Sequence, residues 1–281
     1  MADYPEYGIF NSRFGFPSSN SYDVEEARKN KVTNADDALK KLQDLLFSNQ
    51  NNDIPHLEDK FLMRFLYARK MNINESYTLL CNYFSYRIRN KELFENLTVD
   101  DPLIKQALYD GFPGVLPEKD RKGRCVLVFF GNNWEQANYP LEVVYKSLLI
   151  TLEELITDVN NQINGFVIIV DWTDISFRQV TSISPRVLGL MVEGLQDCFP
   201  AKFKGIHFLN QPWYIERLLS ILKTFLKEKT SKKIFVHGNN LVSLHSHVTP
   251  AILPSELGGE GPPFSPTSWA HSLTTQRHEP K

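Results

Sequence analysis

The run NGFVIIVDW, residues 164–172, decides the fold. Its apolar centre, Phe166 to Val170, is too short for a helix and has a glycine before it and an aspartate after it. Five apolar residues in succession suit a strand covered on both faces. Three other runs share the pattern: VLVFFG at 126–131, GIHFLN at 205–210 and KIFVHG at 233–238. Longer helical stretches separate them. The first, LEVVYKSLLITLEELI at 141–156, repeats apolar residues at 141, 144, 145, 148, 149, 152, 155 and 156, a continuous greasy helical face. Strands alternating with helices in this way specify an α/β layer built on a mostly parallel sheet.

Upstream the periodicity is purely helical. Residues 1–33 are rich in Asn, Ser, Tyr, Pro and Gly without a repeat, and read as a flexible N-terminal arm. Asn34 or Asp36 can cap a helix carrying Ala38, Leu42, Leu45 and Leu46, and the polar SNQNND follows it. Leu57 to Arg69 and Asn74 to Arg89 read as amphipathic helices; in the second, Tyr77, Leu80, Cys81, Phe84 and Ile88 share a face. The expected organisation is an all-helical lobe over 34–97, an α/β lobe over 98–273 and a tail over 274–281.

Composition narrows the function. The chain has 281 residues, 42% of them hydrophobic and 12% aromatic, enough for a large core with apolar surface to spare. Cys81, Cys125 and Cys198 are isolated, without zinc or disulfide spacing. The start MADYPEYGIF has no leader pattern, and no stretch reaches the roughly 18 apolar residues of a spanning helix. A cytosolic protein that touches membranes only at their surface is expected. A formal net charge of −2 argues against a general nucleic-acid binder. Yet between Phe199 and Phe235 eight basic residues face two acidic ones. Such a local excess on an acidic chain is either a solvated face or a docking site for anions.

Signatures of catalysis are missing. There is no GxSxG elbow, no GxxxxGK[ST] loop, no HExxH and no GxGxxG after a strand. Asp171 and Asp174 follow a strand, and His207 and His237 lie on neighbouring ones, where α/β enzymes often keep reactive groups. An Asp at a strand end commonly caps the next turn, and a strand histidine is commonly hydrogen-bonded in place. His245 and His247, two apart in a polar stretch, make a poor metal site.

Six stretches, FLMRFLYARK, DGFPGVLPEKDRKGR, NGFVIIVDW, GLQDCFPAKFKGIHFLNQPWYI, FLKEKTSKKIFVHGNN and ILPSELGG, together resemble the CRAL-TRIO family of lipid-binding proteins in order and spacing. The family includes the α-tocopherol and retinaldehyde carriers, and the likeness is strongest to its clavesin branch. The resemblance spans roughly residues 36 to 273. It implies a helical lobe followed by an α/β lobe whose sheet floors an apolar pocket under a mobile lid. By similarity the pocket would be lined by Phe129 on the first strand and Tyr145, Leu148, Leu149 and Leu152 on the following helix. Phe166, Ile168 and Val170 would line it from the next strand, then Ile183, Met191, Leu195, Phe199 and Ile206. The lid would be Trp213 to about Phe225, with Ile215, Leu219 and Leu222 turned inwards and Tyr214, Leu218 and Ile221 towards a bilayer.

The resemblance also implies a phosphoinositide headgroup site at Arg69, Lys202, Lys204, Lys229 and Lys233, set at the mouth of the cavity. Arg grips phosphate oxygens in pairs, and Lys supplies point charges. Tyr67 stands where many relatives carry another arginine. The implied role is a non-enzymatic lipid carrier for a tocopherol, retinoid, sterol or phospholipid, with no cofactor. It would act on endosomal or trans-Golgi membranes bearing phosphatidylinositol 3,5-bisphosphate. Two other readings stand beside it: a trafficking adaptor with clathrin or adaptor partners and a vestigial pocket, and an enzyme using Asp171, Asp174 or His237.

Overall fold

The computed structural model describes residues 21–48 and 57–276. Four helices open the chain: α1 (Ser21–Ser48), α2 (Asp59–Ala68), α3 (Ile73–Arg89) and the short α4 (Lys91–Phe94). Helix α1 begins at Ser21, ahead of the expected cap at Asn34 or Asp36, so the expected arm is helical over 21–33. The reason is compositional: Glu25, Glu26, Ala27, Arg28 and Lys29 are strong helix formers without an apolar period to announce them. The expected arm's residues 1–20 lie outside the described residues. Asn72 starts α3 by accepting a hydrogen bond from the Glu75 backbone at 3.1 Å. Ala38, Leu42, Leu62, Phe65, Leu66, Leu79 and Leu80 bury the lobe's own core.

Helix α5 (Pro102–Tyr109), capped by Asp101 with proline in its first turn, leads into the sheet. The strands are β1 (Gly114–Val115), β2 (Cys125–Phe130), β3 (Phe166–Asp171), β4 (Phe203–Leu209) and β5 (Ile234–Gly238). They lie in that order, β1 antiparallel to β2 and the other pairs parallel. Between β2 and β3 run α6 (Leu141–Leu155) and α7 (Val159–Asn164). Between β3 and β4 lie α8 (Phe177–Thr181), α9 (Pro185–Glu193) and a π-turn at Gly194–Cys198. Next come α10 (Trp213–Phe225) and α11 (Glu228–Ser231), and after β5 come α12 (Leu241–His245) and α13 (Thr267–Gln276). Helix α13 crosses the expected tail boundary at 273, and residues 277–281 lie outside the described residues.

Four parallel strands in sequential order, joined by right-handed crossovers, send every crossover helix to one face. Alternation along each strand then divides the side chains. Val126, Val128, Phe130, Val167, Ile169 and Leu209 point away from α6 and α10 and are covered by Leu244, Val248, Leu253 and Leu257 from the C-terminal segment. Leu127, Phe129, Phe166, Ile168, Val170, Ile206 and Phe208 face the crossover helices. That second face holds the site.

Candidate functional site

The helix-covered face is filled at one end and open at the other. At the N-terminal ends of β2 and β3, Cys125, Leu127 and Phe166 pack against Tyr145, Leu149, Leu152 and Phe199, all buried. Tyr86 from the helical lobe closes this layer: its Oη sits 3.2 Å from Tyr145 Oη and donates to Leu190 O at 2.8 Å. Towards the C-terminal ends the layer parts around a cavity of about 200 Å³.

The cavity floor is Phe129, Ile168, Val170, Ile206 and Phe208 from three strands. Leu141, Val144 and Leu148 of α6 form one wall, and Ile183, Leu188, Met191 and Leu195 form another. Leu218, Leu219 and Leu222 of α10 close it, with Phe112, Trp134, Trp172 and Ile175 at the strand tips. Of the expected lining, Phe129, Leu148, Ile168, Val170, Ile183, Met191, Leu195, Ile206, Leu219 and Leu222 stand in this wall. Tyr145, Leu149, Leu152, Phe166 and Phe199 do not; they share the inward face but occupy the packed layer below. Ile215 is fully buried in the core under the first turn of α10 and also stays out of the wall. Face alone could not separate these groups, because depth along the strand decides between them.

The expected outward arc of α10 also needs correction. Leu218 is buried and lines the cavity, since residues 215, 218 and 222 follow one helical stripe. Tyr214 is half-buried and its hydroxyl donates to Ile175 O; Ile221 is half-buried too. Outward stand Glu216, Arg217, Ser220, Lys223 and Thr224. The exposed apolar residues of α10 are at its ends, Trp213 at 77% and Phe225 at 40% exposure, and Trp213 stacks with the exposed Phe177 at 6.3 Å between ring centres.

The five expected basic residues come together. Arg69 ends α2, Lys202 and Lys204 lie at the start of β4, Lys229 is on α11 and Lys233 immediately precedes β5. Each feels the next. Burial first, then the charges of Lys204 and Lys70, push the Lys202 ammonium down to about 8. Lys204 is lowered by burial and by Lys70, Arg124 and Lys229. Lys233 is lowered by burial and by Lys204, Lys229, Arg69 and Lys70, and donates to Phe203 O at 2.7 Å. Arg69 is lowered mainly by burial, against the pull of Asp197 and Glu75. Sequence reasoning missed Lys70 and Arg124, although Lys70 completes the quoted FLYARK. Among the described residues, the nearby ion pairs are Arg124 with Asp120, Lys227 with Asp197 and Lys232 with Glu228, and none joins Lys70, Lys202, Lys204, Lys229 or Lys233.

This cluster lies at the N-terminal ends of β4 and β5, whereas the cavity reaches past the C-terminal ends of β2 and β3 to Gly131 and Trp172. It is therefore at the far end of the strands from the tip of the cavity. A connection runs through the π-turn. Arg69 Nη2 donates to Gln196 O at 3.5 Å, and Gln196 Oε1 accepts from the Lys227 backbone, just past α10, at 2.9 Å.

The groups weighed for catalysis are engaged elsewhere. Asp171 Oδ1 accepts from the Thr173 backbone and hydroxyl and from Asn210, fixing the turn after β3. Asp174 is an exposed turn residue with φ of 58°. His237 lies between His207, at 2.9 Å, and the Ser243 hydroxyl, at 2.8 Å. His245 Nε2 is 3.0 Å from Leu257 O. Among the described residues no helix is long and apolar enough to cross a membrane.

Known proteins share this architecture. The CRAL/TRIO domain profile matches residues 109–259. Clavesin-1 of Xenopus laevis is 48% identical over 235 residues, 84% of this chain and 71% of the relative. Clavesin-2 of Homo sapiens is 46% identical over 241 residues, 86% and 74% of the two chains. The crystal structure of Sfh5 superposes with a TM-score of 0.56 at 12% identity, covering 87% of this chain and 97% of that one, a likeness of fold. With a profile match over more than half its length and relatives near half identity over most of it, the chain belongs to the CRAL/TRIO domain family of lipid-binding proteins.

Proposed function

We propose that this protein is a non-enzymatic lipid carrier that shelters an apolar ligand under α10 and docks on membranes bearing phosphoinositides, phosphatidylinositol 3,5-bisphosphate above all. The observation that carries the reading is the cavity whose wall consists of apolar side chains, with one side formed by a single amphipathic helix. Such a cavity gains about 25 cal/mol for each Å² of ligand apolar surface removed from water. Binding there needs no reactive group.

The basic cluster supplies the docking half. Five lysines that have no carboxylate partner among the described residues, and one arginine, repel one another until an anion arrives, and a polyphosphorylated headgroup carries the charge to relieve them. Headgroup binding at Arg69 would reach the end of α10 through Gln196 and Lys227. A membrane opens the lid only as far as it binds the open form better than the closed one. Endosomal and trans-Golgi surfaces are the proposed sites of action.

Flotation with vesicles of defined composition tests the docking half. The protein should float with phosphoinositide vesicles, and the paired change Lys202→Ala with Lys204→Ala should abolish this. Equal flotation with neutral vesicles, or no loss in the pair, overturns it. Mass spectrometry of lipid extracted from cell-purified protein tests the carrier half: a reproducible bound lipid supports it, and a cavity empty in every preparation refutes it.

A further inference from the structure

The run KEKTSKK, residues 227–233, sets two hydroxyls among four lysines. Its centre is α11, a single turn of four residues, none of them buried. Thr230 and Ser231 are half-buried, and among the described residues neither hydroxyl has a hydrogen-bond partner. On the preceding helix the equivalent groups are engaged: Ser220 Oγ donates to Glu216 O at 2.9 Å and Thr224 Oγ1 to Ile221 O at 2.7 Å.

The two free hydroxyls differ in their neighbours. In a helical turn, residues three or four apart lie side by side. For Thr230 these are Lys227, whose carbonyl accepts the Thr230 N–H at 2.9 Å, and Lys233, whose N–H donates to Thr230 O at 2.9 Å. Lys233 and the adjoining Lys229 belong to the basic cluster and both act on Lys204 or feel its charge. For Ser231 the neighbours are Lys227 and Glu228, a carboxylate. An anion on Thr230 is therefore drawn to lysines on both sides, whereas one on Ser231 also meets a like charge.

We propose that Thr230 is a phosphorylation site for a kinase that selects basic flanks, and that its phosphate occupies the lysine cluster from within the chain and so excludes the membrane. Thr230 Oγ1 attacks the γ-phosphorus of ATP. The new O–P bond forms as the bond to the β–γ bridging oxygen breaks, ADP leaves with that electron pair, and the hydroxyl proton passes to the kinase's base. The phosphate adds about two negative charges. Tethered beside Lys229 and Lys233, it competes at high local concentration with a headgroup that must arrive from outside. The inference rests on the docking reading and adds its regulation.

The full chain is incubated with ATP and protein kinase C, which has that preference, and the modified residue is located by mass spectrometry. Phosphate on Thr230 is expected, and its absence there overturns the site. Chain phosphorylated at Thr230 alone, at Ser231 alone or at neither is then made by stop-codon suppression and floated with vesicles containing phosphatidylinositol 3,5-bisphosphate. Phosphate on Thr230 should weaken binding roughly tenfold or more, and phosphate on Ser231 less. Equal binding with and without phosphate on Thr230 overturns the inference and leaves the docking reading intact. An equal loss from both positions overturns occupation of the cluster, leaving an effect of net charge alone. Failure of the unmodified chain to float overturns the docking reading, and this inference with it. Phosphorus NMR gives a readout without membranes: neighbouring ammonium groups should hold the second pKa of the Thr230 phosphate below its ordinary value of about 6, and an unshifted titration places the phosphate outside the cluster and overturns the inference.

Discussion

Arg87 Nη2 lies 2.6 Å from Glu153 Oε1, fastening α3 of the helical lobe to α6 of the sheet lobe. Tyr83 Oη donates to the same oxygen at 3.1 Å, and Arg64 Nη1 approaches the other at 3.4 Å. The Arg87 guanidinium also sits 3.5 Å from the centre of the Tyr83 ring and 4.6 Å from that of Phe94. Burial and the neighbouring Glu153 charge hold the Tyr83 hydroxyl well above its ordinary value, so it stays a donor. Glu153→Ala strands two arginines that are mostly out of water and should cost about 2 to 3 kcal/mol in urea unfolding. A midpoint unchanged from wild type would show that the lobes hold together without this clamp.

Gly194 is fixed by the same junction. A β-carbon there would fall 1.9 Å from Tyr145 Oη and 3.0 Å from Tyr86 Oη. Gly194→Ala should therefore destabilise by about 1 to 3 kcal/mol, the usual cost of overpacking. Pairing it with Tyr145→Phe, which removes the obstructing hydroxyl, should recover part of that loss. If the pair is no more stable than Gly194→Ala alone, the clash lies elsewhere.

These residues show where sequence reading succeeds and where it stops. Strands β2 to β5 and helix α6 were legible because each segment's apolar period is complete within itself. The inward face of α6 was legible for the same reason, whereas Lys202, Lys204, Lys229 and Lys233 were implied as a group only by the family resemblance. Depth was not legible. Tyr145 and Leu148 share a face of α6, yet one packs under Tyr86 and the other lines the cavity. That division depends on what the helical lobe places against the sheet, a long-range contact without a local period.

Anion docking should depend on pH in a defined direction. Lys202 is charged below its lowered value of about 8 and loses its proton above it. Flotation with phosphoinositide vesicles should therefore weaken between pH 7 and pH 9, and bound headgroup, by favouring the charged form, should shift the fall upwards. Lys70→Ala removes one of the charges that depress Lys202 and one contact with the anion, so it should weaken flotation and raise the pH at which the remainder is lost. Flotation that is flat across this range would remove Lys202 from the site.

The two kinds of apolar residue on α10 should separate in their effects. Trp213 and Phe177 stack in solvent, so Trp213→Ala should leave stability within about 0.5 kcal/mol and weaken vesicle binding. Leu218 is buried against the cavity, so Leu218→Ala should cost about 2 to 5 kcal/mol whether or not a membrane is present. Equal vesicle binding by wild type and Trp213→Ala would place the membrane contact on another surface.

Acid should unfold this protein through its histidines before its carboxylates. His207 is buried on β4, with its Nδ1 2.9 Å from His237 Nε2 and its ring stacked on Phe235. Burial, then the charges of His237, His247 and Arg124, push it down to about 3 from an ordinary 6.5. His237 is lowered too, by burial and by His247. A base with a depressed folded value binds its proton more readily in the unfolded chain, so its contribution is complete above pH 6.5 and declines as pH falls towards 3. The loss for His207 approaches about 1.4 kcal/mol per pH unit below 6.5. Urea unfolding between pH 7 and pH 5, above the range where ordinary carboxylates titrate, should show this slope, and His207→Phe should flatten it. A slope that survives His207→Phe unchanged would assign the acid sensitivity to groups away from β4.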